Sequence, residues 1–322
     1  MTDVFSLDIG GAFIKSALGG GKHPVRSIVP FELWKQPAKL PAILRAMRPG
    51  GQFKCVITMT GELCDCFENR RRGVRHIVES AQKAFGPLRV FGVRGELFTP
   101  QQAVRNYGQV ASANWAAIPL LLAREASDFL LVDIGSTTAD LTPVRNGKIA
   151  NRGWTDFGRL KNGELLYTGY LRTPVQATVR TARIGGADVP LAAETFCQGG
   201  DVYLILGKIR AKQYNAPTPD GKGKTVFTAM RRLARCVLAD EGELPARELR
   251  AVARQIADEQ LRAITAAAEK FDLPVVATGV GAFILDGSFA AGRLKRHEVS
   301  ARRGVTGLDP SLALALLTKE GF

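Results

Sequence analysis

Two aspartate-glycine turns, each directly after an apolar run, constrain the fold of this chain more than any other feature. The first lies in the segment FSLDIGGAFIKSA and the second in FLLVDIGSTTADLTPV, and their aspartates, Asp8 and Asp133, are 125 residues apart. That separation is about the size of one lobe of a two-lobed protein. Each turn predicts a strand, a tight turn and a second strand. Together the two turns could clamp one phosphorylated ligand.

The first turn carries the residue types that hold an anion. Gly10 and Gly11 permit positive φ and a close approach of the backbone. Backbone N–H groups in such a turn form an anion-binding concavity, to which Lys15 adds a point charge. On its own, an Asp-Ile-Gly-Gly match in a glycine-rich chain is also typical of an ordinary hairpin.

The second turn adds hydroxyl groups and further carboxylates. Its phosphate-binding candidates are Gly135, Ser136, Thr137 and Thr138. A carboxylate beside phosphate donors indicates Mg²⁺ held through one or two protein oxygens plus water. The metal-binding candidates in the two turns are Asp8, Asp133 and Asp140.

A third glycine turn follows a short apolar run near the C-terminus, in VVATGVGAFIL. Gly279 and Gly281 lie directly after this strand-like run. In a two-lobed phosphotransferase-like fold such a turn lies beneath a nucleotide base or ribose, and otherwise it begins a loop. Three glycine turns after strands favour the functional interpretation.

Composition predicts a globular protein with a substantial core, since the chain has 322 residues and is 46% hydrophobic. The longest apolar run, AAIPLLLA, is short and contains a proline, so we expect no membrane segment and a cytoplasmic location. Five irregularly spaced cysteines predict reduced thiols. Cys64, Cys66 and His76 lack the spacing and the fourth ligand of a structural zinc site.

The net charge of +14 is spread evenly, because residues 1–150 and 151–322 each contribute +7. A diffuse positive field suits the steering of small anionic substrates better than the binding of nucleic acid. The densest cluster begins with Arg70 and Arg71. This run predicts either a solvated loop or a clamp for a diphosphate or carboxylate.

Local patterns predict an alternation of strands and helices, and therefore an α/β fold. Strands are expected at 54–60 and 88–93, and helices at 74–84, 107–124 and 249–271. The pattern also predicts a hairpin at 145–148 and a loop at 215–225. Asp309 and Pro310 are expected to begin a last helix, through Leu316.

These elements predict two lobes. The N-terminal lobe is expected to span residues 1–127, with a C-terminal helix at 309–320 packing back on it. The C-terminal lobe is expected to span 128–308. Its glycine-rich section at about 146–225 is interpreted as an insertion that shapes the substrate site.

Several segments, ordered over nearly the whole chain, resemble one family. They are SLDIGGAFIKSA, ITMTGELCDCFENRRRGV, LLVDIGSTTADLTPV, GELLYTGYLRTPV, GGDVYLILGKI and the loop DGKGKT before MRRLAR. The chain is similar to the hydantoinase/oxoprolinase family, within the superfamily of acetate and sugar kinases, heat-shock chaperones and actin. The resemblance implies a two-lobed actin-like, ribonuclease H-like fold with a cleft. It is closest to a branch linked to tetrahydromethanopterin-dependent one-carbon metabolism.

That branch implies a transferase of methanofuran or methylofuran biosynthesis. Such an enzyme joins an aminomethylfuran diphosphate to the phenol oxygen of a tyramine- or tyrosine-containing, glutamylated acceptor and releases diphosphate. The two hairpins would then hold the leaving diphosphate with Mg²⁺, and Lys15 would assist catalysis. The implied leaving-group contacts are Gly10, Gly11, Lys15, Ser136, Thr137 and Thr138. Glu62 or Asp65 would accept the phenol proton or bind the substrate amine, unless they cap a helix near Thr60. Glu164 is a further substrate candidate.

Two other functions stay open. One is an ATP-dependent amidohydrolase, in which the same hairpins bind ATP. The other is a nucleotide-binding protein without catalysis. Mg²⁺ is the expected cofactor, ATP is a second one, and the expected partners are small anions, with a homodimer as one option for the assembly.

Overall fold

The computed structural model of the chain describes residues 3–19, 24–240, 242–301 and 305–319. It divides into two compact units. Unit 1 lies within Met1–Phe129, Thr142–Asn162 and Gly307–Phe322, and unit 2 lies within Leu130–Leu141 and Gly163–Thr306. The main difference from the expected lobes is at residues 142–162, which belong to unit 1.

Unit 1 is built on a six-stranded sheet. Its strands are β1 (Asp3–Ile9), β2 (Phe13–Gly19), β3 (Val25–Pro30), β4 (Phe53–Met59), β5 (Leu88–Phe91) and β6 (Leu97–Phe98). They lie in the order β3-β2-β1-β4-β5-β6. β1, β4 and β5 are parallel, whereas β2, β3 and β6 run antiparallel to their neighbours. Nearly all residues of β1 and β4 are buried, as expected for central strands that are covered on both faces of the sheet.

The helices of unit 1 surround this sheet. They are α1 (Leu40–Ala46), α2 (Arg70–Phe85), α3 (Pro100–Arg105), α4 (Tyr107–Val110), α5 (Ala117–Leu122) and α6 (Asp156–Lys161), with a last helix at Pro310–Thr318. The last helix contacts β1 and β2. The Ser6 hydroxyl donates to the Ser311 carbonyl at 2.6 Å, and Asp309 caps the helix by accepting from the Leu312 N–H. The predicted Asp309 cap is confirmed, while residue 320 lies outside the described residues.

Unit 2 combines a sheet with helices. Its strands are β7 (Phe129–Ile134), β8 (Ala139–Arg145), β10 (Leu165–Leu166) and β13 (Val275–Thr278), with a separate hairpin of β11 (Thr181–Ile184) and β12 (Ala187–Pro190). The sheet order is β10-β8-β7-β13. β8 begins in unit 2 and ends in unit 1, where it turns into β9 (Lys148–Ile149) through Asn146 and Gly147, both with positive φ. The predicted hairpin at 145–148 is therefore confirmed.

The helices of unit 2 are α7 (Val175–Thr178), α8 (Gly199–Ile205), α9 (Val226–Arg235), α10 (Ala246–Glu269) and α11 (Asp286–Ala290), so that the helix of unit 1 at Pro310–Thr318 is α12. α10 is the long helix predicted at 249–271, and it buries Leu249, Val252, Ile256 and Ile264 on one face. Residues 215–225 form the predicted loop. No helix among the described residues is long and apolar enough to cross a membrane.

Two local predictions are wrong. The run at Arg70 is not a loop: it forms the first turn of α2, because the Asn69 side chain accepts from the Arg72 N–H at 3.0 Å and caps the helix there. The helix expected at 107–124 is interrupted at Ser112, whose φ is 48°. Only α4 and α5, separated by a short 3-10 turn, form within that span.

Candidate functional site

The first turn brings three polar side chains together on neighbouring strands. Asp8 on β1 is paired with Lys15 on β2 and with Thr58 on β4. Residues paired in register point to the same face of a sheet. The turn itself is closed by the Gly10 N–H, which donates to the Phe13 carbonyl at 3.0 Å. The cationic and anionic groups predicted for this turn therefore share one face.

Asp8 is a buried carboxylate with incomplete hydrogen bonding. Its side chain is 5% exposed, and its Oδ2 accepts from Asn114 Nδ2 at 3.5 Å. Its Oδ1 has no hydrogen-bond partner among the described residues. Burial raises the pKa of Asp8, against the opposing effects of the Lys15 charge and the Asn114 hydrogen bond. An unsatisfied buried oxygen of this kind fits a cation ligand such as Mg²⁺.

Positions 10 and 11 favour glycine because a side chain at either position would make contacts that are too close. Neither has a positive φ, so that part of the prediction is wrong. A Cβ on Gly10 would lie 2.9 Å from the Phe13 carbonyl oxygen, and one on Gly11 would lie 2.9 Å from Cys64 Sγ. The turn is therefore packed against the segment that follows β4.

The second hairpin lies in unit 2 and is covered by the segment TGYLRTP. The Gly135 N–H donates to the Thr138 carbonyl at 2.9 Å and closes the hairpin. The Tyr170 N–H donates to the Gly135 carbonyl, and the Arg172 N–H to the Ser136 carbonyl. Thr138 Oγ1 donates to Asp140 Oδ2 at 3.3 Å.

The late glycine turn lies against this second hairpin. The Gly281 N–H donates to the Ile134 carbonyl at 2.9 Å. Gly279 has a φ of +82°, and a Cβ there would lie 2.3 Å from Asp133 Oδ1. Two of the three predicted glycine turns thus meet at the ends of adjacent parallel strands, β7 and β13.

We expect Gly279→Ala to lower the free energy of unfolding by about 2–4 kcal/mol, since it adds overpacking to the strain of a positive φ. Gly292→Ala is the matched control, because Gly292 has a φ of +69° and open space around it. The control should lose only the backbone contribution of about 1–2 kcal/mol. Urea denaturation of both variants gives the difference, and equal losses would show that the contact with Asp133 is unimportant.

Glu62 is buried in unit 1 within a cluster of polar side chains. It is 0% exposed, and it lies 2.8 Å from Ser112 Oγ and 3.5 Å from Arg70 Nε. Asp156 completes the cluster, since its Oδ2 lies 2.8 Å from the same Ser112 Oγ and 3.1 Å from Arg70 Nη2. Burial raises the pKa of Glu62, and the charge of Asp156 acts in the same direction.

The proposed capping role of Glu62 is wrong, because no helix begins near Thr60. Residues 61–69 form turns, and α2 begins at Arg70. Gly73 in α2 makes room for the cluster, since a Cβ there would lie 2.0 Å from the Glu62 carbonyl oxygen. Asp65 lies in the same turns and is exposed.

The other predicted substrate contacts have different surroundings. Arg70 belongs to the Glu62 cluster and is 24% exposed. Arg71 lines a surface cavity of about 330 Å³ together with Asn69, Arg72 and Arg75. Glu164 lies in unit 2 and is 1% exposed, and its carbonyl accepts from the Leu141 N–H at 2.9 Å.

Three residues of the site in unit 1 escaped the sequence interpretation: Ser112, Asn114 and Asp156. Ser112 and Asn114 lie in the small-residue segment ASANWAA, which resembles a plain helix. Asp156 follows Thr155, whose side chain caps α6 by accepting from the Gly158 N–H. The only sequence signal near Asp156 was the Thr-Asp pair at a helix start. Such a pair indicates a helix N-cap and does not by itself indicate a functional site.

Metal-binding residues do not form a closed cluster in the part of the chain that the structure describes. No group of three or more histidine, cysteine, aspartate or glutamate side chains there could hold an ion. Of the predicted metal-binding residues, Asp8 belongs to unit 1, whereas Asp133 and Asp140 belong to unit 2. Mg²⁺ commonly uses one or two carboxylates with water and phosphate oxygens, which this arrangement permits. All five cysteines are free thiols.

Comparison with known proteins gives one family match and two close relatives. The model of the hydantoinase/oxoprolinase family matches residues 55–311. A Methanocaldococcus jannaschii protein named (4-{4-[2-(gamma-L-glutamylamino)ethyl]phenoxymethyl}furan-2-yl)methanamine synthase is 32% identical over 325 residues, which cover 98% of each chain. A Methanococcus vannielii protein of the same name is 31% identical over 201 residues, which cover 59% of this chain and 90% of that protein.

A solved structure shows a similar fold. Nucleotide-free acetone carboxylase, from a study of ATP-dependent acetone carboxylation, aligns with a TM-score of 0.55 at 7% identity. The alignment covers 91% of this chain and 67% of that chain. At such low identity the likeness concerns the fold alone. Together with the α/β sheets of the two units, it confirms the predicted fold class.

Proposed function

This chain belongs to the hydantoinase/oxoprolinase family, and from that premise we propose that it is a transferase that builds an aryl ether of a furan. The observation that carries the proposal is the near-complete alignment with a synthase whose named product joins a phenoxy group to a furanylmethyl carbon. The substrates are an aminomethylfuran diphosphate and γ-glutamyltyramine or a related tyrosine-containing acceptor. The products are the ether and diphosphate, formed in the cytoplasm.

The reaction replaces one carbon–oxygen bond with another. The bond between the furanylmethyl carbon and diphosphate breaks, and its electron pair leaves with diphosphate. The phenol oxygen forms the new bond to that carbon and loses its proton to a carboxylate. Since the furan ring stabilises a developing cation, the protein must mainly neutralise the leaving group and orient the phenol.

In unit 1, we assign the leaving-group contacts to Gly10, Gly11 and Lys15. Asp8 would hold Mg²⁺, and the bound ion would neutralise the charge that develops on the diphosphate. The unpartnered Asp8 Oδ1 supports this assignment. In unit 2, the hydroxyls of Ser136, Thr137 and Thr138 and the carboxylates of Asp133 and Asp140 are proposed as phosphate and metal contacts.

The acceptor carries a glutamyl group in the named product of the relatives. We propose that the arginine-lined cavity at the start of α2 binds this anionic group, because Arg71, Arg72 and Arg75 surround it. Arginine suits carboxylates through paired N–H donors. The arginine run is then a binding surface on a helix.

We expect Arg71→Ala to raise KM for the glutamylated acceptor about tenfold with little change in kcat, which is the loss of about one charge-assisted hydrogen bond. Arg45→Ala, on the exposed side of α1, is the control and should change neither constant. Steady-state kinetics with γ-glutamyltyramine and with tyramine separate the effects. If Arg71→Ala raised KM for both acceptors equally, the cavity would not recognise the glutamyl group.

The names of the relatives favour this transferase over an ATP-dependent amidohydrolase or a non-catalytic nucleotide-binding protein. The alternatives are tested directly by ³¹P NMR. One tube contains the protein, Mg²⁺, aminomethylfuran diphosphate and γ-glutamyltyramine, and a second contains ATP in place of the diphosphate. Acceptor-dependent release of diphosphate is the expected result. ADP and phosphate in the second tube, with no diphosphate in the first, would overturn the proposal in favour of an ATP-using enzyme.

A further inference from the structure

The polar cluster around Ser112 contains fewer hydrogens than its geometry requires. Ser112 Oγ lies 2.8 Å from Glu62 Oε1 and 2.8 Å from Asp156 Oδ2. A hydroxyl carries one hydrogen and can donate to only one of these oxygens. The other contact is a hydrogen bond only if that carboxyl group is protonated and donates to Ser112. The two carboxyl groups therefore share one additional proton.

The burial of the two carboxyl groups differs. The Glu62 side chain is 0% exposed and its Oε2 has no hydrogen-bond partner among the described residues. Asp156 is 27% exposed and lies 3.1 Å from Arg70 Nη2. Since a buried charge without full hydrogen bonding is costly, the proton belongs on Glu62. The order is then Glu62 to Ser112 to an ionised Asp156 beside Arg70.

Ser112, the middle member of this chain of hydrogen bonds, lies near the Asp8 turn along the backbone. Asn114, which contacts Asp8, follows Ser112 by two residues, a span of at most about 7 Å of backbone. Glu62 has no exposed surface with which to touch a substrate. Asp156 is the carboxylate of the cluster that can do so.

We infer that Asp156 is a further catalytic residue, which takes the phenol proton while Glu62 and Ser112 position it; this inference rests on the proposed transferase function. The phenol O–H bond breaks as its oxygen attacks the furanylmethyl carbon. The proton moves to a carboxylate oxygen of Asp156, and the diphosphate leaves with the electron pair of its bond to carbon. The proton is later released to solvent.

The charge of the cluster favours a proton acceptor over a site for the substrate ammonium. A protonated Glu62, an ionised Asp156 and Arg70 have a net charge of zero, which attracts a cation weakly. The charged or titratable groups that face Glu62 are Arg70 from α2, Asp156 at the start of α6 and Cys64 from the turns after β4. Protonation of Asp156 would leave the cluster positive while the anionic leaving group departs.

The test compares Asp156→Asn, Ser112→Ala and Glu62→Gln in the diphosphate-release assay across pH. Asp156→Asn should lower kcat by at least about 100-fold and remove the acidic limb of the pH profile. Glu62→Gln, whose amide imitates the protonated acid, should lower kcat only about fivefold and keep that limb. Ser112→Ala should fall between them. Glu79→Gln, an exposed carboxylate change on α2, is the control.

A second measurement does not depend on activity. The protein is labelled with ¹³C at the glutamate side-chain carboxyl groups, and the resonance that is missing from Glu62→Gln is assigned to Glu62. Its chemical shift should show that the Glu62 carboxyl group is still protonated at pH 7. Titration of that resonance at an ordinary glutamate pKa, or a larger kcat loss in Glu62→Gln than in Asp156→Asn, would overturn the inference. No diphosphate release by the unmodified protein would instead refute the proposed function, and the resonance would still report where the proton lies.

Discussion

Replacing Arg232 with methionine should lower the free energy of unfolding by about 3–5 kcal/mol. Arg232 is 1% exposed and Asp201 is 0% exposed. The guanidinium donates to Asp201 Oδ1 from Nε at 3.0 Å and from Nη2 at 2.7 Å, and to Asp220 Oδ1 from Nη1 at 3.0 Å. Without the arginine, Asp201 would be a buried charge without its cation. Urea denaturation monitored by circular dichroism measures the loss.

Two further variants separate the ion pair from the helix that carries it. Arg235→Met changes a partly buried arginine in the same helix, α9, and should cost less than about 1 kcal/mol. Adding Asp201→Asn to Arg232→Met should recover part of the loss, because it removes the uncompensated charge and keeps an acceptor for the Gln198 N–H. A double variant no more stable than Arg232→Met would mean that packing, and not charge, holds this region.

This ion pair joins the segments GGDVYLILGKI and DGKGKT…MRRLAR in the folded chain. Arg232 also donates to the Gly223 carbonyl at 3.3 Å, so it fixes the loop at 215–225 to α8. The sequence predicted the loop, which the structure contains. At the start of α8 the Asp201 carboxylate also accepts from the Gln198 N–H. The sequence could not predict the pairing with Arg232, since nothing local in either segment specifies a partner 31 residues away.

At the candidate site, too, local features were predictable from the sequence, whereas contacts between distant residues were not. The strands and turns around Asp8, Asp133 and Gly279 follow from local apolar runs and glycines, and the structure contains all of them. Ser112 and Asp156 are 44 residues apart and meet only in the folded chain. Nothing in the sequence indicated the helix interruption at Ser112, because the alanine-rich segment around it has high helix propensity. Tertiary contacts override that propensity in the folded chain.

The start of α2 was predictable and was missed for a different reason. Asn69 before the arginine run is a favoured N-cap residue. The dense positive charge of the arginine run suggested a solvated loop. A helix can nevertheless begin with three arginines when its other face is apolar. Val74, Ile77, Val78 and Ala81 supply that face. Helix α2 begins four residues earlier than the helix predicted at 74–84, and this earlier start places Arg70 beside Glu62.

Asp8→Asn should reduce kcat/KM for diphosphate release about 1,000-fold, which corresponds to about 4 kcal/mol of lost transition-state stabilisation. The amide keeps the shape of the side chain and an acceptor for Asn114, but it cannot neutralise a bound cation. Mg²⁺ should raise the melting temperature of the unmodified protein in the presence of inorganic diphosphate, and this shift should vanish in the variant. Asp3→Asn, at the other end of β1, is the control and should keep both properties.

The stability of Asp8→Asn decides whether the effect is functional. Burial raises the pKa of Asp8, so the ionised carboxylate is disfavoured in the folded chain. Because the folded pKa lies above the unfolded value, the native state loses stability as pH rises through it, and at neutral pH the charge opposes folding. The neutral amide should therefore leave the free energy of unfolding unchanged or raise it while activity falls. A protein keeps an unfavourable buried charge where its ligand needs it, and a variant that lost stability together with activity would instead assign Asp8 to the fold.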